Sequence, residues 1–364
     1  MQIDIITLHC PLNCGSVLQG FALRKYLAKQ YGENNVQLID YVPHYMEDEG
    51  RPVRTFLRKI LFYKQYRQRS ENFGDFIKRH CVLTNQKYKS YEELKSNPPK
   101  ADIYVTGSDQ LWNPCFNCGN DPAYYLQFIQ NVPKMSYAAS MGTDNYTEEQ
   151  LKNIADKIYD YSFVSVREQC SVAQLEQAGV PDVKCVCDPT LLLNAEDYSA
   201  IAKSHAHLGK YVAVYLVERS ELLDQTLEMF RQQGYKIVGV AGYLNKYECD
   251  VRLMDAGPAE FLGLIRDASF VVATSFHATV FSLIFHKQFA IIPPSMNPAR
   301  IEQLLSMVKL TDRIITKPEQ LSGLQRNIDY QEVQNILDRH IEESRVWLKN
   351  ALDTLEEKTR HERV

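Results

Sequence analysis

The sequence predicts an α/β protein with two tandem domains, each built around a parallel sheet. The chain has 364 residues, more than one hydrophobic core usually holds. Short apolar segments rich in β-branched residues alternate with segments that carry apolar residues at helical spacing. This is the order expected when helices cover both faces of a parallel sheet. The proline of Asp188-Pro189-Thr190 interrupts the alternation and is followed by a linker-like polar segment, so we place the domain boundary there.

The first series opens with a predicted strand at Ile3–Thr7 and a helix at Val17–Leu27. The loop between them contains Asn13, Gly15 and Ser16. The remaining strands of this series are predicted at Val36–Asp40, Ile103–Thr106, Met135–Ala139, Phe163–Val166 and Val183–Val186. We therefore assign residues 1–190 to an N-terminal domain.

The second series starts with a strand at Tyr211–Leu216 and defines a C-terminal domain of residues 191–330. Its further strands are predicted at Lys236–Val240, around Val271 and at Phe289–Ile292. Beyond it, one face of a helix over residues 331–364 carries the apolar residues Val333, Leu337, Ile341, Leu348, Leu352 and Leu355. Such a helix either returns across both domains or forms a dimer contact.

Composition and charge exclude several classes of protein. With 45% hydrophobic and 24% charged residues, the chain is typical of a globular domain, and its net charge of -4 gives no reason to expect nucleic-acid binding. Nine scattered cysteines do not suggest a disulfide framework and fit a reducing cytoplasm. The N-terminus lacks the features of a signal peptide, and no apolar run reaches the roughly 18 residues of a membrane span. We expect a cytoplasmic protein.

Cys115-Phe116-Asn117-Cys118 has the spacing of half a zinc site, which would need two further ligands. In Cys185-Val186-Cys187 the two thiols would point to opposite faces of a strand. We therefore predict no metal site.

The segment from Val271 to Phe285 predicts a buried strand, a polar turn and a buried helix, with His277 at the bend. Backbone amides at the start of a helix favour anions, so a phosphate or carboxylate suits this position. His277 could equally be a helix cap or a core histidine.

Ligands of open parallel sheets bind beyond the carboxyl ends of the strands. The loops predicted at those ends contain Asn13 to Ser16, Gly107-Ser108-Asp109-Gln110, Arg167-Glu168 and Thr274 to His277. Each also has a structural explanation. Gly107 could make a turn, Asp109 could cap a segment, and Arg167 could pair with Glu168 or another acid.

Six ordered segments together resemble the polysaccharide pyruvyl transferase family. They are Asn13-Cys14-Gly15-Ser16-Val17-Leu18-Gln19, Gly107-Ser108-Asp109-Gln110-Leu111-Trp112-Asn113-Pro114, Ser136-Tyr137-Ala138-Ala139-Ser140-Met141-Gly142, Ser165-Val166-Arg167-Glu168, Asp188-Pro189-Thr190 and Ser275-Phe276-His277-Ala278-Thr279-Val280-Phe281-Ser282. The sequence departs from the family at Cys14, where an aromatic residue is usual, and at Ala278, where many members carry glycine. The resemblance implies a GT-B-like architecture of two Rossmann-like domains facing across a cleft, with the C-terminal helix crossing both.

The resemblance also implies an activity, the transfer of the pyruvyl group of phosphoenolpyruvate to two hydroxyls of one sugar. The product is a cyclic pyruvate ketal on a sugar of a lipid-linked saccharide, formed in surface or capsular polysaccharide biosynthesis. It further implies that the C-terminal domain is the donor side, with Thr274, Ser275 and His277 as donor-binding residues, together with Arg167 of the N-terminal domain. His277 and Asp109 are the catalytic candidates, and the predicted acceptor residues on the N-terminal side are Asn13, Gly15, Ser16 and Gln110. Phosphoenolpyruvate is a co-substrate, and no metal or other cofactor is required.

Between Arg51 and Arg79 stand nine basic residues and two acidic ones, interleaved with aromatic and aliphatic side chains. This pattern is typical of a helix at an anionic membrane surface, where a lipid-diphosphate-linked acceptor would lie. It equally fits a solvated basic helix whose aromatic residues pack on the first domain. The expected location is thus the cytoplasm, at the inner face of the membrane if the segment contacts lipid.

Two other functions stay open. One is a GT-B glycosyltransferase that uses a nucleotide sugar, although no clear acidic ribose-binding residue follows a strand of the second domain. The other is a non-catalytic relative that only binds a saccharide.

Overall fold

Ten of the twelve strands in the described residues form two parallel sheets of five strands each, and the other two form a parallel pair. The structure, a computed structural model, describes residues 1–47, 62–142, 145–215, 220–240, 247–294 and 298–362. The first sheet and a small pair beside it contain β1 (Ile3–Ile6), β2 (Val36–Tyr41), β3 (Leu83–Tyr88), β4 (Ile103–Thr106), β5 (Lys134–Ser136), β6 (Ser165–Val166) and β7 (Lys184–Cys185). The second sheet contains β8 (Tyr211–Tyr215), β9 (Lys236–Val240), β10 (Val251–Leu253), β11 (Phe270–Ala273) and β12 (Phe289–Ile291).

Both sheets have the same strand order. The first is β3-β2-β1-β4-β5, and the second is β10-β9-β8-β11-β12. Isolated parallel bridges from Met135 to Phe163 and from Ala139 to Val166 connect β6 and β7 to the edge of the first sheet. This is the strand order of Rossmann-like domains. All the strands are parallel, but the chain adds strands first on one side of the first strand and then on the other, and this change of side is the reversal point. In this chain the reversal point lies between β1 and β4 in the first sheet and between β8 and β11 in the second. Ligands of such sheets bind at the carboxyl ends of the strands beside this point.

Helices connect the strands, as parallel pairing requires. Within the described residues they are α1 (Cys14–Tyr31), α2 (His44–Glu47), α3 (Tyr63–His80), α4 (Tyr91–Ser96), α5 (Asn117–Asn120), α6 (Glu148–Lys157), α7 (Gln169–Gln177), α8 (Ala195–Ser199), α9 (Glu221–Gln232), α10 (Pro258–Asp267), α11 (Phe276–Ile284), α12 (Ala299–Met307) and α13 (Tyr330–Glu362). The long C-terminal helix is confirmed. All six apolar residues of its predicted stripe are buried within the chain, so the stripe is not left exposed for a dimer contact.

The chain divides into two compact units. The first contains residues 1–50, 77–193 and 338–364, and the second contains residues 51–76 and 194–337. Helix α13 therefore carries residues of both units. The segment that follows Thr190 does not begin as a polar linker, because Pro189–Leu192 is a buried 3-10 turn that packs on α1. The boundary that we placed after residue 190 falls within this turn.

The basic segment 51–79 is divided between the units. Residues 51–61, which include Arg54, Arg58 and Lys59, lie outside the described residues. From Tyr63 to Phe76, α3 belongs to the second unit, whereas we had predicted the whole segment for the first. The physical reason is contact. The Asn72 side-chain amide donates to the Asp255 carbonyl at 2.8 Å, and Phe73 and Phe76 are buried.

The sequence pattern does not predict β3 or β10. Both are edge strands. β3 exposes Asn85, Gln86 and Lys87, so its apolar pattern is weak. The strand predicted at Met135–Ala139 ends earlier, at Ser136, and Leu216 lies outside the described residues. No helix in the described parts of the chain combines the length and the apolar character needed to cross a membrane.

A buried carboxyl on β1 makes stability depend on pH. Asp4 is fully buried, and its Oδ1 accepts hydrogen bonds from Gln2 and Gln37 at 3.1 and 2.9 Å. Oδ2 has no hydrogen-bond partner among the described residues. Burial raises the pKa of Asp4 from 3.8 to about 6, against the opposing effect of the two hydrogen bonds. The folded protein therefore holds this proton more tightly than the unfolded chain does, and stability falls as pH rises from about 4 to about 6.

We expect Asp4→Asn to stabilise the protein by about 1 to 3 kcal/mol at pH 8, because the amide needs no ionisation in the core. At pH 4, where the native carboxyl is already protonated, the gain should disappear. Thermal unfolding of both proteins across this pH range measures the difference. Parallel curves for variant and parent would contradict the assignment of this pH dependence to Asp4.

Candidate active site

At the reversal point of the first sheet, the loops after β1 and β4 meet through two side chains. The Ser16 hydroxyl, in the first turn of α1, donates a hydrogen bond to Asp109 Oδ2 at 2.5 Å. Both residues are buried, and Asp109 Oδ1 accepts from the amide of Gln110 at 2.8 Å. Ser16, a predicted acceptor residue, is thus hydrogen-bonded to Asp109, the predicted catalytic carboxylate.

Asp109 is held in a strained backbone conformation. Its φ is 82°, in the left-handed region that residues with a side chain rarely adopt. The Asp109 carbonyl accepts from the amides of Leu111 and Ser140 at 2.7 and 2.9 Å, and the residue bridges to Ala139. Such strain persists when surrounding contacts fix it, and it is common at functional sites. Here it fixes where the carboxylate stands.

The other predicted acceptor residues support the same loops. Asn13 caps α1, and its Oδ1 accepts from the amides of Gly15 and Ser16 at 2.9 and 3.5 Å. The Gln110 side-chain oxygen accepts from the Asn113 amide at 2.8 Å. Directly above this pair lies Gly142, with a φ of 85°, where a Cβ would come within 2.3 Å of Gln110 Oε1. Any other residue would be strained at this φ and would displace the Gln110 side chain, which explains the glycine at the end of the Ser136–Gly142 motif.

Gln19 is a site residue that we did not single out. Its buried Nε2 donates to Thr7 Oγ1 and to the Ser16 carbonyl, both at 2.8 Å. Thr7 in turn donates to the Ser108 carbonyl at 2.9 Å. These bonds join the first turn of α1 to the loops after β1 and β4. The only sequence feature that indicates a role for Gln19 is its position at the end of the Asn13–Gln19 motif.

Arg167 is the centre of a buried network of charges. Its Nη1 donates to Asp188 Oδ2 at 2.6 Å, and its Nε donates to Glu168 Oε1 at 3.3 Å. Ser108 and Ser140 donate to the same two carboxylates, at 3.5 and 2.6 Å. Four of the six motifs therefore meet in one network through side chains: those containing Ser108, Ser140, Arg167 and Asp188.

The electrostatics of this network hold the guanidinium charged. Burial acts to lower the pKa of Arg167, but the carboxylates of Asp188, Glu168 and Asp109 more than offset it, so the pKa is raised. The side chain is about 3% exposed. An anionic donor would have to compete with Asp188 and Glu168 for this cation. The donor-binding role of Arg167 thus remains a prediction, beside an observed role in holding four loops together.

In the second unit, the other three predicted donor residues lie at the equivalent reversal point. Thr274 follows β11, and its amide donates to the Tyr215 carbonyl of β8 at 3.2 Å. Ser275 is the N-terminal cap residue of α11, and its carbonyl accepts from the amide and hydroxyl of Thr279 at 3.1 and 3.0 Å. His277 lies in the first turn of α11 and is about 8% exposed. Residues 216–219, which follow β8 in the sequence, lie outside the described residues.

The helix that carries His277 is anchored by aromatic packing. Within its first turn, the Phe276 ring lies 5.3 Å from the His277 imidazole at an angle of 84°. Deeper in α11, the Phe281 ring packs edge-on against Tyr198 at 4.9 Å and Phe261 at 5.7 Å. A buried apolar helix therefore fixes the position of the imidazole at the strand edge.

The Cys115-Cys118 pair belongs to no metal-ligating group among the described residues. Cys115 is exposed and Cys118 is buried, and the Cys118 thiol donates to the Gln110 carbonyl at 3.4 Å. Among the residues that the structure describes, no group of three or more His, Cys, Asp or Glu could hold a metal ion.

Comparison with known families decides the identity of this arrangement. The model of a family described as polysaccharide pyruvyl transferase matches residues 13–295, most of the chain. The chain belongs to the polysaccharide pyruvyl transferase family. It is therefore a transferase of polysaccharide biosynthesis, as its six motifs predicted. No curated protein sequence matches this family member significantly.

Solved structures show the fold of this family member. A UDP-N-acetylglucosamine 2-epimerase from Rickettsia bellii aligns over 98% of this chain and 97% of its own, with a TM-score of 0.56 and 12% identity. The UDP-GlcNAc 2-epimerase of Methanocaldococcus jannaschii, solved in complex with UDP-GlcNAc and UDP, aligns over 93% and 99%, with a TM-score of 0.50 and 13% identity. The predicted fold class, GT-B-like with two Rossmann-like domains, is confirmed.

Proposed function

We propose that the protein transfers the pyruvyl group of phosphoenolpyruvate to two hydroxyls of one sugar, forming a cyclic ketal and releasing phosphate. The observation that carries this proposal is the family match over residues 13–295. The arrangement of the matched motifs supports it, because they place an acid in the first unit and an imidazole in the second at the reversal points of the two sheets. The reaction balances without a metal or redox cofactor.

The donor chemistry assigns roles to the second unit. Carbon 3 of phosphoenolpyruvate gains a proton while carbon 2 becomes cationic and accepts a sugar oxygen. We propose that the His277 imidazole gives this proton or protonates the departing phosphate, since histidine exchanges protons near neutral pH. Thr274 and Ser275 flank it at the start of α11, where backbone amides favour the anionic donor.

The acceptor chemistry assigns roles to the first unit. Each hydroxyl of the sugar loses a proton as its oxygen attacks carbon 2, and we propose Asp109 as the base. The hydrogen bond from Ser16 fixes the carboxylate, and Asn13, Gly15 and Gln110 shape the surrounding loops. A base must lie within hydrogen-bond reach of the hydroxyl that it deprotonates, so a fixed carboxylate suits the role.

The test is incubation with phosphoenolpyruvate and lipid-linked saccharides, followed by mass spectrometry. We expect a product heavier than its acceptor by pyruvate minus water, together with an equal amount of released phosphate. Omission of phosphoenolpyruvate is the control. Sugar transfer from a UDP-sugar, with no product from phosphoenolpyruvate, would favour the nucleotide-sugar glycosyltransferase instead.

We further propose that the acceptor is linked to a lipid diphosphate and that the basic segment 51–79 contacts the membrane surface. In the described part of this segment, Phe73 and Phe76 are buried and Tyr63 is exposed, so charge supplies most of the proposed attraction to lipid. Lys64, Lys78 and Arg79 are exposed there. Surface attraction of this kind is screened by salt.

Sedimentation with vesicles tests the membrane contact. We expect the protein to bind vesicles that contain phosphatidylglycerol at low salt, to leave them as salt rises, and to ignore pure phosphatidylcholine. Replacing Lys64, Lys78 and Arg79 by Gln should weaken binding by up to about a hundredfold, since each charge near the surface contributes about 1 kcal/mol. Absence of sedimentation at low salt would end the membrane proposal without affecting the proposed reaction.

A further inference from the structure

A cationic side chain stands beside His277 and was not among the predicted site residues. Arg300 lies in the first turn of α12, the helix that follows β12. β11 and β12 are neighbouring parallel strands, with Val271 opposite Phe289. The helices after them, α11 and α12, therefore both begin at the carboxyl edge of the second sheet. Topology alone thus places Arg300 and His277 at the same edge.

Side-chain contacts bring the two residues closer together. The guanidinium carbon of Arg300 lies 5.7 Å from the centre of the Phe276 ring, within the range of a cation–π contact. The same ring lies 5.3 Å from the His277 imidazole. Arg300 is half-buried, so its position is fixed while part of the side chain faces solvent. Phe276 thus separates a cation from an imidazole at one site.

The proposed donor needs such a cation. Phosphoenolpyruvate carries a phosphate and a carboxylate, and arginine binds such oxygens in pairs through its planar fork. Arg167 of the first unit already donates to Asp188 and Glu168. In the first turns of α11 and α12, Arg300 is the cationic residue, and Glu302 is the acidic one.

We infer that Arg300 binds an oxyanion of the donor next to His277, an inference that rests on the proposed function. Arg300 lies beyond residue 295, where the family match ends, so the match gives it no role. The shared chemistry is a carboxylate or phosphate oxygen held by the guanidinium. Because this contact exists before and during the reaction, its loss should raise KM for phosphoenolpyruvate and leave kcat nearly unchanged.

Calorimetric titration of the full chain with phosphoenolpyruvate tests the inference. We expect Arg300→Gln to weaken binding about tenfold to a hundredfold, and Arg300→Lys to recover part of the loss because the charge stays. Arg231→Gln is the matched control, since Arg231 lies in the last turn of α9, before the opposite edge of the sheet. Titrations with inorganic phosphate and with pyruvate identify the oxyanion, because the variant should lose affinity for whichever Arg300 holds.

The outcomes separate the inference from the proposed function. If the parent binds phosphoenolpyruvate and Arg300→Gln binds it equally well, the inference is wrong and the proposed function stands. If the folded parent binds none, both are wrong. Thermal unfolding of each variant shows whether a loss of binding comes from unfolding. A weakened Arg300→Gln with an unchanged melting temperature supports the inference, whereas equal weakening by Arg231→Gln would overturn it.

Discussion

His277→Ala is expected to lower kcat by about 10² to 10⁴ while the protein stays folded, which is the usual contribution of general acid–base catalysis. The imidazole stands in the first turn of α11, at the reversal point of the second sheet. α11 itself is held by buried aromatic contacts of Phe281, which the substitution does not touch. Steady-state kinetics with phosphoenolpyruvate measure the effect.

His286→Ala provides the matched control. His286 lies two residues beyond the C-terminal end of α11, away from the first turn that carries His277, and its Nε2 contacts Gln334 Oε1 at 3.0 Å. It should keep normal kinetics. A raised KM with normal kcat in His277→Ala would mean that the imidazole only holds the donor. A lower melting temperature with normal kinetics would make it a structural histidine, and normal values throughout would remove it from the site.

Arg167→Ala is expected to have the largest effect on stability. Removing the guanidinium leaves the buried carboxylates of Asp188 and Glu168 without their cation, and breaking a buried ion pair in this way costs about 3 to 5 kcal/mol. Four loops should loosen together, because Ser108 and Ser140 bind the same carboxylates. The midpoint of thermal unfolding measures the loss.

A second variant separates the two roles of Arg167. In Arg167→Met with Asp188→Asn, a charge is removed from each side, so much of the lost stability should return. Phosphoenolpyruvate affinity of this double variant then reports on donor binding by the guanidinium. Parent-like affinity would show that Arg167 acts through the network alone, whereas lost affinity in a stable protein would support direct binding. An unchanged unfolding midpoint in Arg167→Ala would contradict the network.

The sheet interiors could be predicted from the sequence because buried parallel strands are apolar on both faces. Ile103–Thr106 and Lys236–Val240 have the predicted bounds. β3 was missed because an edge strand exposes polar residues to water, and its segment then resembles a loop. The position of α3 was misjudged because its partner, Asp255, is 183 residues from Asn72 along the chain.

The site shows a similar division. That Ser16 and Asp109 lie at one edge follows from their places after β1 and β4, because the ends of parallel strands share an edge. The ion pair between Arg167 and Asp188 could not be predicted from the sequence, because it depends on how the turn Pro189–Leu192 packs. Arg300 was missed because it has no motif of its own, and its contact with Phe276 exists only in the folded chain.

The positive φ of Asp109 also decides how a saturation library at this position should be interpreted. Glycine enters that backbone conformation freely and asparagine tolerates it, whereas alanine costs about 1 to 2 kcal/mol of backbone strain. In a library screened for activity, alanine would therefore report the loss of both the carboxylate and the loop geometry. Asparagine and glycine report the carboxylate with the loop preserved, so they, and not alanine, give the chemical contribution of this side chain.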